Sequence, residues 1–131
     1  TKTVWSIDNR TAGFRLCGEN TVGVRVECRI GGSDLNPYLA QSVMLAAGIK
    51  GIEENLVLSS ATTGDIYEDS KAADIPQSLR LATENLRNSD FLREALGDDV
   101  VDHYTRAAEW EQEEFDRVIT DWEIARGFER A

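Results

Sequence analysis

Residues 24–38, V-R-V-E-C-R-I-G-G-S-D-L-N-P-Y, constrain the fold of this chain more than any other stretch. Val24, Val26, Cys28 and Ile30 alternate with Arg25, Glu27 and Arg29, the two-residue period of a half-buried β-strand. One face is apolar, and the other sets two guanidiniums around a carboxylate. Gly31-Gly32 breaks the strand. Asn36-Pro37 then starts a helix, with a capping side chain followed by proline at the first helical position. A charged cluster is thereby set beside the start of a rigid helix.

The composition changes on either side of this stretch. Before residue 30 the chain is rich in Val, Thr, Gly and Arg; after residue 36 helix formers dominate, and the last third is strongly acidic. The expected class is α+β, with short antiparallel strands first and a C-terminal helical bundle after them. Strands are expected at 4–7, 13–17 and 22–30, separated by turns at Asp8-Asn9 and 18–20; such short connections favour antiparallel pairing. Three strands with one charged face make a poor open sheet, so further strands outside this chain are expected to share their hydrogen bonds.

Helical spacing begins at Pro37, where Leu39, Val43, Ala46 and Ala47 form a stripe that Tyr38, Leu45, Ile49 and Ile52 widen. A helix so apolar is expected to be buried between a sheet and other helices. Residues 59–75 lack a sustained period and read as a long surface loop, with Tyr67 as its packing anchor. Helices follow at 78–88, at 90–96 up to Gly97, and from Asp98 or Asp99 onward through Val118. A last helix, announced by the capping box Thr120-x-x-Glu123, is expected to run to about Arg126 before Gly127.

The 131 residues suffice for one domain and one core, and the sequence is expected to be one compact unit or a piece of a larger one. Its formal charge of -10 argues against sequence-independent binding to nucleic acid or an anionic membrane, which need basic patches. No apolar run approaches a membrane span, and T-K-T-V-W has neither an initiator Met nor a signal-peptide core, so it reads as a cut end. Cys17 and Cys28 lack metal-ligand spacing and are expected to be reduced core thiols of a cytoplasmic protein.

Charged residues on the early strands carry what chemistry the sequence offers. His103 stands alone beside Asp102 on a helix, Gly31-Gly32 lacks the sequel of a phosphate loop, and no Cys or Ser has a recognisable base. There remain Asn9-Arg10, Arg15, Arg25, Glu27 and Arg29. Arginines converging from adjacent strands bind phosphate or carboxylate oxygens as planar forks, and Glu27 between them would stay ionised and suit a hard cation. An ion-pair ladder across strands has the same pattern, and on pattern alone that plainer alternative is favoured.

At these residues the chain resembles the glutamine synthetase family. The family's Asn-Arg pair, second Arg, Arg-x-Glu-x-Arg and Asn-Pro-Tyr-Leu are present as Asn9-Arg10, Arg15, Arg25-Val26-Glu27-Cys28-Arg29 and Asn36-Pro37-Tyr38-Leu39, in that order. The similarity continues through L-A-A-G-I-K-G-I, I-P-Q-S-L and V-I-T-D-W-E. The resemblance implies a C-terminal fragment of a catalytic domain, residues 1–31 being strands of an incomplete catalytic sheet and 36–131 a helical part with a loop at 59–75. It implies ATP with Mg2+ or Mn2+, phosphorylation of the glutamate side-chain carboxylate, and displacement of phosphate by ammonia or a primary amine. Arg10 would then meet the transferring phosphoryl group, Arg15 and Arg25 the nucleotide phosphates, Glu27 the metal, and Arg29 the glutamate carboxylate.

The family's remaining metal ligands, base pocket and N-terminal domain would lie upstream of Thr1, so the resemblance also implies that this chain alone is inactive and that its full-length parent is a ring-shaped homo-oligomer. D-N-R-T-A-G-F-R-L-C-G and E-C-R-I-G-G-S-D-L-N-P-Y-L look more like the divergent branch that includes γ-glutamylpolyamine synthetases than like the housekeeping enzyme. Two other classes stay open: a non-catalytic structural or regulatory relative, and an acidic helical interaction module whose arginines form only a ladder.

Overall fold

The computed structural model describes residues 2–69 and 71–130. They fall into two compact units, Thr1–Ile75 and Pro76–Ala131, and the class is α+β. In the first unit β1 (Lys2–Ile7), β2 (Ala12–Cys17) and β3 (Arg25–Cys28) form a sheet in the order β1-β2-β3, followed by helix α1 (Pro37–Glu53). The second unit holds α2 (Leu79–Arg87), α3 (Asp90–Leu96), α4 (Asp98–Asp116) and α5 (Asp121–Arg130). No helix among the described residues is long and apolar enough to cross a membrane.

β2 and β3 pair antiparallel as the alternation predicts, but β1 and β2 run parallel, with Trp5 beside Phe14 and Ile7 beside Leu16. The expectation of a reversal at Asp8-Asn9 is corrected by the path of the connection. From residue 7 to residue 12 the chain can reach at most about 18 Å, just enough to return along a six-residue strand of roughly 17 Å. Asn9 holds that return, donating to the Gly64 carbonyl at 2.8 Å and accepting from the Thr11 amide at 2.9 Å. Gly13 is needed here, because a Cβ on it would meet the Lys2 carbonyl oxygen at 2.3 Å.

The segment after α1 lies along the free edge of β1. Trp5 donates its indole N–H to Ser59 (2.9 Å), the Thr62 amide donates to the Trp5 carbonyl (3.0 Å), and the Thr3 amide donates to Ala73 (2.9 Å). These bonds satisfy backbone groups that an open edge would leave to water. Residues 66–68 form a short 3-10 turn capped by Asp65, and Ile66, 1% exposed, is its anchor. Tyr67, expected in that role, is 55% exposed, because the turn directs its neighbour inward instead.

Asn36 caps α1 as expected, accepting from the Tyr38 and Leu39 amides at 3.0 and 3.2 Å. The expected burial of this helix does not occur: α1 has no buried residue, and Leu39, Ala40, Val43 and Ala46 are only half-buried. Propensity and caps act within the helix, whereas burial needs a partner surface. β3 is likewise shorter than expected, with Val26 and Cys28 exposed; of the two thiols, only Cys17 is buried.

In the second unit α2 and α3 both pack on α4, around Val101 and the hydroxyls of Thr83 and Thr105. Ser78 and Ser89 cap α2 and α3 by accepting from Leu81 and Leu92. Gly97, at φ 88°, separates α3 from α4 in a conformation that costs other residues strain. α4 ends at Asp116, so Val118 lies beyond it. The Thr120–Glu123 capping box forms, but α5 continues through Gly127 to Arg130: one helical glycine costs about 1 kcal/mol, too little to end a capped helix.

Candidate functional site

The register of β2 on β3 sets Arg15 opposite Glu27 and Cys17 opposite Arg25. Residues two apart on a strand share a face, so these four side chains stand on one side of the sheet. Trp5, Phe14, Leu16 and Val26 contribute to an apolar groove that Leu58 also lines.

Glu27 is the centre of the charged face. Its Oε2 accepts from Arg15 Nη1 at 2.9 Å, and its Oε1 accepts from Arg25 Nη2 at 2.8 Å and Nε at 3.2 Å. Arg15, foremost, and then Arg25 bring the Glu27 carboxyl down to about 2, against partial burial, which works the other way. Arg15 is held above the ordinary arginine range by the same carboxylate and by Asp8. Burial pushes the Cys17 thiol up, and the Glu27 carboxylate accepting its hydrogen bond adds to that, so Cys17 stays a neutral donor.

The structure thus joins Arg15, Arg25 and Glu27. Of the arginines flanking Glu27 in sequence, Arg25 reaches it, whereas the Arg29 side chain turns to the Arg10 carbonyl, donating from Nε at 3.0 Å. Arg29 is still tied to the sheet by its amide, which donates to Gly13 at 2.8 Å. Arg10 and Arg29 are exposed, and the contact between them uses Arg10's backbone. His103 lies in the second unit on α4, its ring edge-on to Tyr104 at 5.3 Å.

Two participants were not visible in the sequence. Asp8 pairs with Arg15 Nη2, and Cys17 with Glu27. Asp8 reads as a turn residue, and only the parallel placement of β1 carries it to Arg15; the alternation of β2 could have put Cys17 on the face of Arg15.

As a cation site the face offers Glu27, ionised throughout the neutral range but already engaged by two guanidiniums, while Asp8 is taken up at the other end of Arg15. Among the described residues no group of three His, Cys, Asp or Glu side chains is arranged to hold a metal. A hard divalent cation takes about six oxygens, so Glu27 fits as one ligand of a set.

The family model for the glutamine synthetase catalytic domain matches residues 1–127. The chain belongs to the glutamine synthetase family. It is 42% identical over 130 residues to a gamma-glutamylethanolamide synthetase of Streptomyces coelicolor, covering 99% of this chain and 28% of that protein. It is 36% identical over 133 residues to a glutamine synthetase of Thermus thermophilus, covering 96% and 30%. A glutamate–isopropylamine ligase of a Pseudomonas species is 34% identical over 124 residues, covering 93% and 27%. The chain therefore spans less than a third of the length of these glutamine synthetase relatives.

Proposed function

We propose that this chain is the C-terminal part of an ATP-dependent ligase that phosphorylates the side-chain carboxylate of glutamate and passes the γ-glutamyl group to ammonia or a primary amine. The observation that carries this reading is the Arg15–Glu27–Arg25 cluster, three side chains of the family pattern brought into contact on one sheet face. Phosphoryl transfer demands positioning and charge neutralisation, which guanidiniums around an ionised carboxylate supply.

Within that reaction Arg15 and Arg25 bind nucleotide phosphates, and Glu27 contributes one oxygen donor to Mg2+ or Mn2+. Held there, such a cation would supply neutralisation of phosphate charge. Arg10 meets the transferring phosphoryl group, and Arg29, steadied against the Arg10 carbonyl, orients the glutamate side-chain carboxylate. Residues 1–31 act as a wall of the catalytic sheet, and 36–131 as its helical support. The isolated chain is inactive, because Glu27 and Asp8, both engaged by arginine, complete neither a metal site nor a substrate pocket. The rest of the longer protein covers α1 and the apolar groove, and the assembly is a ring of identical subunits. The free thiols of Cys17 and Cys28 suit the cytoplasm.

The names of the relatives include an ethanolamide synthetase, an isopropylamine ligase and several glutamine synthetases, so both a primary amine and ammonia are candidate acceptors. The test is ATP-dependent phosphate release by the complete protein with glutamate and a panel of ammonia, ethanolamine, isopropylamine and polyamines. Release that depends on both glutamate and one of these amines is expected. No acceptor-dependent release from the folded protein would leave the non-catalytic relative.

A further inference from the structure

We propose that Asp8 is a positioning residue for Arg15: its carboxylate takes one end of a guanidinium whose other end is on Glu27, and so fixes the plane that Arg15 presents to a nucleotide's phosphates. The role rests on the ligase reading above and adds to it a residue outside the family's arginine and glutamate pattern.

The geometry is that of a two-ended clamp. Arg15 Nη1 donates to Glu27 and Nη2 to Asp8, while Nε is buried without a partner, so the terminal nitrogens alone hold the guanidinium. A single contact to Glu27 would leave the plane free to turn about that bond; a second carboxylate at the other terminal nitrogen removes the freedom. The two ends differ in access. The Arg15 side chain is 14% exposed and Glu27 28%, whereas Asp8 is 72% exposed, so Asp8 closes the clamp on its open side.

Asp8 is itself held by its backbone. It leaves β1 at φ 46°, a left-handed conformation that Asp and Asn tolerate better than most residues, and its amide donates to the Leu16 carbonyl at 2.9 Å. Leu16 adjoins Arg15 in β2, so the bond that fixes Asp8 is made one residue from the side chain it serves. Asn9, tied to Gly64 and Thr11, steadies the next residue.

The test uses the complete protein with Asp8→Gly, which keeps the left-handed backbone and removes the carboxylate, and Asp8→Asn, which keeps the shape and removes the charge. Calorimetry with Mg·ADP should show about fivefold weaker binding for Asp8→Gly and about twofold for Asp8→Asn, the scale of a largely exposed ion pair. Adenosine, which has no phosphates, should bind as it does to the unaltered protein, and KM for ATP should rise with less than a twofold change in kcat. Unchanged or tighter Mg·ADP binding by Asp8→Gly would overturn the proposal; tighter binding would make Asp8 a competing anion. An equal loss for adenosine would also overturn it, by showing a general effect on the fold. If the unaltered protein neither binds Mg·ADP nor releases phosphate, the ligase reading fails and takes the clamp with it. If that protein is active and Asp8→Gly matches it in every measurement, the role of Asp8 alone is lost.

Discussion

Replacing Ile66 by Ala tests how the segment along β1 is held. Ile66 is 1% exposed and its amide donates to Thr11 Oγ1 at 3.0 Å, so one residue contributes both a buried side chain and a polar tie. The substitution keeps the amide and removes three carbons, worth about 2.4 kcal/mol at roughly 0.8 kcal/mol per buried methylene. A residual cavity raises this to about 3 kcal/mol, within the range for Ile→Ala in a core. Hydrogen exchange reads it locally, at the amides of Thr62 and Ile66. Protection at both should fall by roughly a hundredfold, the equilibrium equivalent of that energy. Tyr67→Ala, at a residue 55% exposed, should cost under about 1 kcal/mol. Equal losses for the two variants, or unchanged exchange at Thr62, would refute the assignment of Ile66 as the anchor.

Two further predictions concern ionisation and capping. The Glu27 carboxyl lies at about 2 when folded, below its ordinary value of 4.5, so its contribution to stability is fully present above pH 4.5 and is lost as pH falls through about 2. Carboxyl-detected NMR titration should find the midpoint near 2, moving upward in Arg15→Met; a midpoint near 4.5 in the unaltered protein would contradict the paired geometry. Thr120→Ala removes one half of a reciprocal cap, in which Glu123 accepts from the Thr120 amide at 2.8 Å and Thr120 Oγ1 from the Glu123 amide at 3.3 Å. It should cost about 1 kcal/mol and fray α5, seen as loss of helical circular dichroism; an unchanged spectrum and melting curve would exclude the cap as the start signal.

What was legible in the sequence was local. Asn36-Pro37 and Thr120-x-x-Glu123 mark helix starts because a capping side chain bonds amides within three residues of itself, and the structure forms both sets of bonds. The Arg-x-Glu alternation likewise put Arg25 and Glu27 on one face before any fold was known. Relations set by the route of the chain were not legible. The return through Asn9 makes β1 parallel to β2, and this brings Asp8 to Arg15; nothing in the spacing of residues 8 and 15 announces it. The exposure of α1 has the same origin, since burial depends on what lies opposite a helix. Gly127 shows the reverse error, a local stop signal outweighed by the residues around it.

On the ligase reading, the Arg15–Glu27–Arg25 face binds a metal-bound nucleotide and is more than a ladder of ion pairs. Calorimetry of ADP binding to the complete protein, with and without magnesium and with Glu27 intact or replaced by Ala, tests it most directly. Binding should be strengthened by magnesium in the unaltered protein, and that strengthening should be largely lost in Glu27→Ala. The same magnesium dependence in both proteins would contradict the claim and leave the cluster a structural pairing of strands.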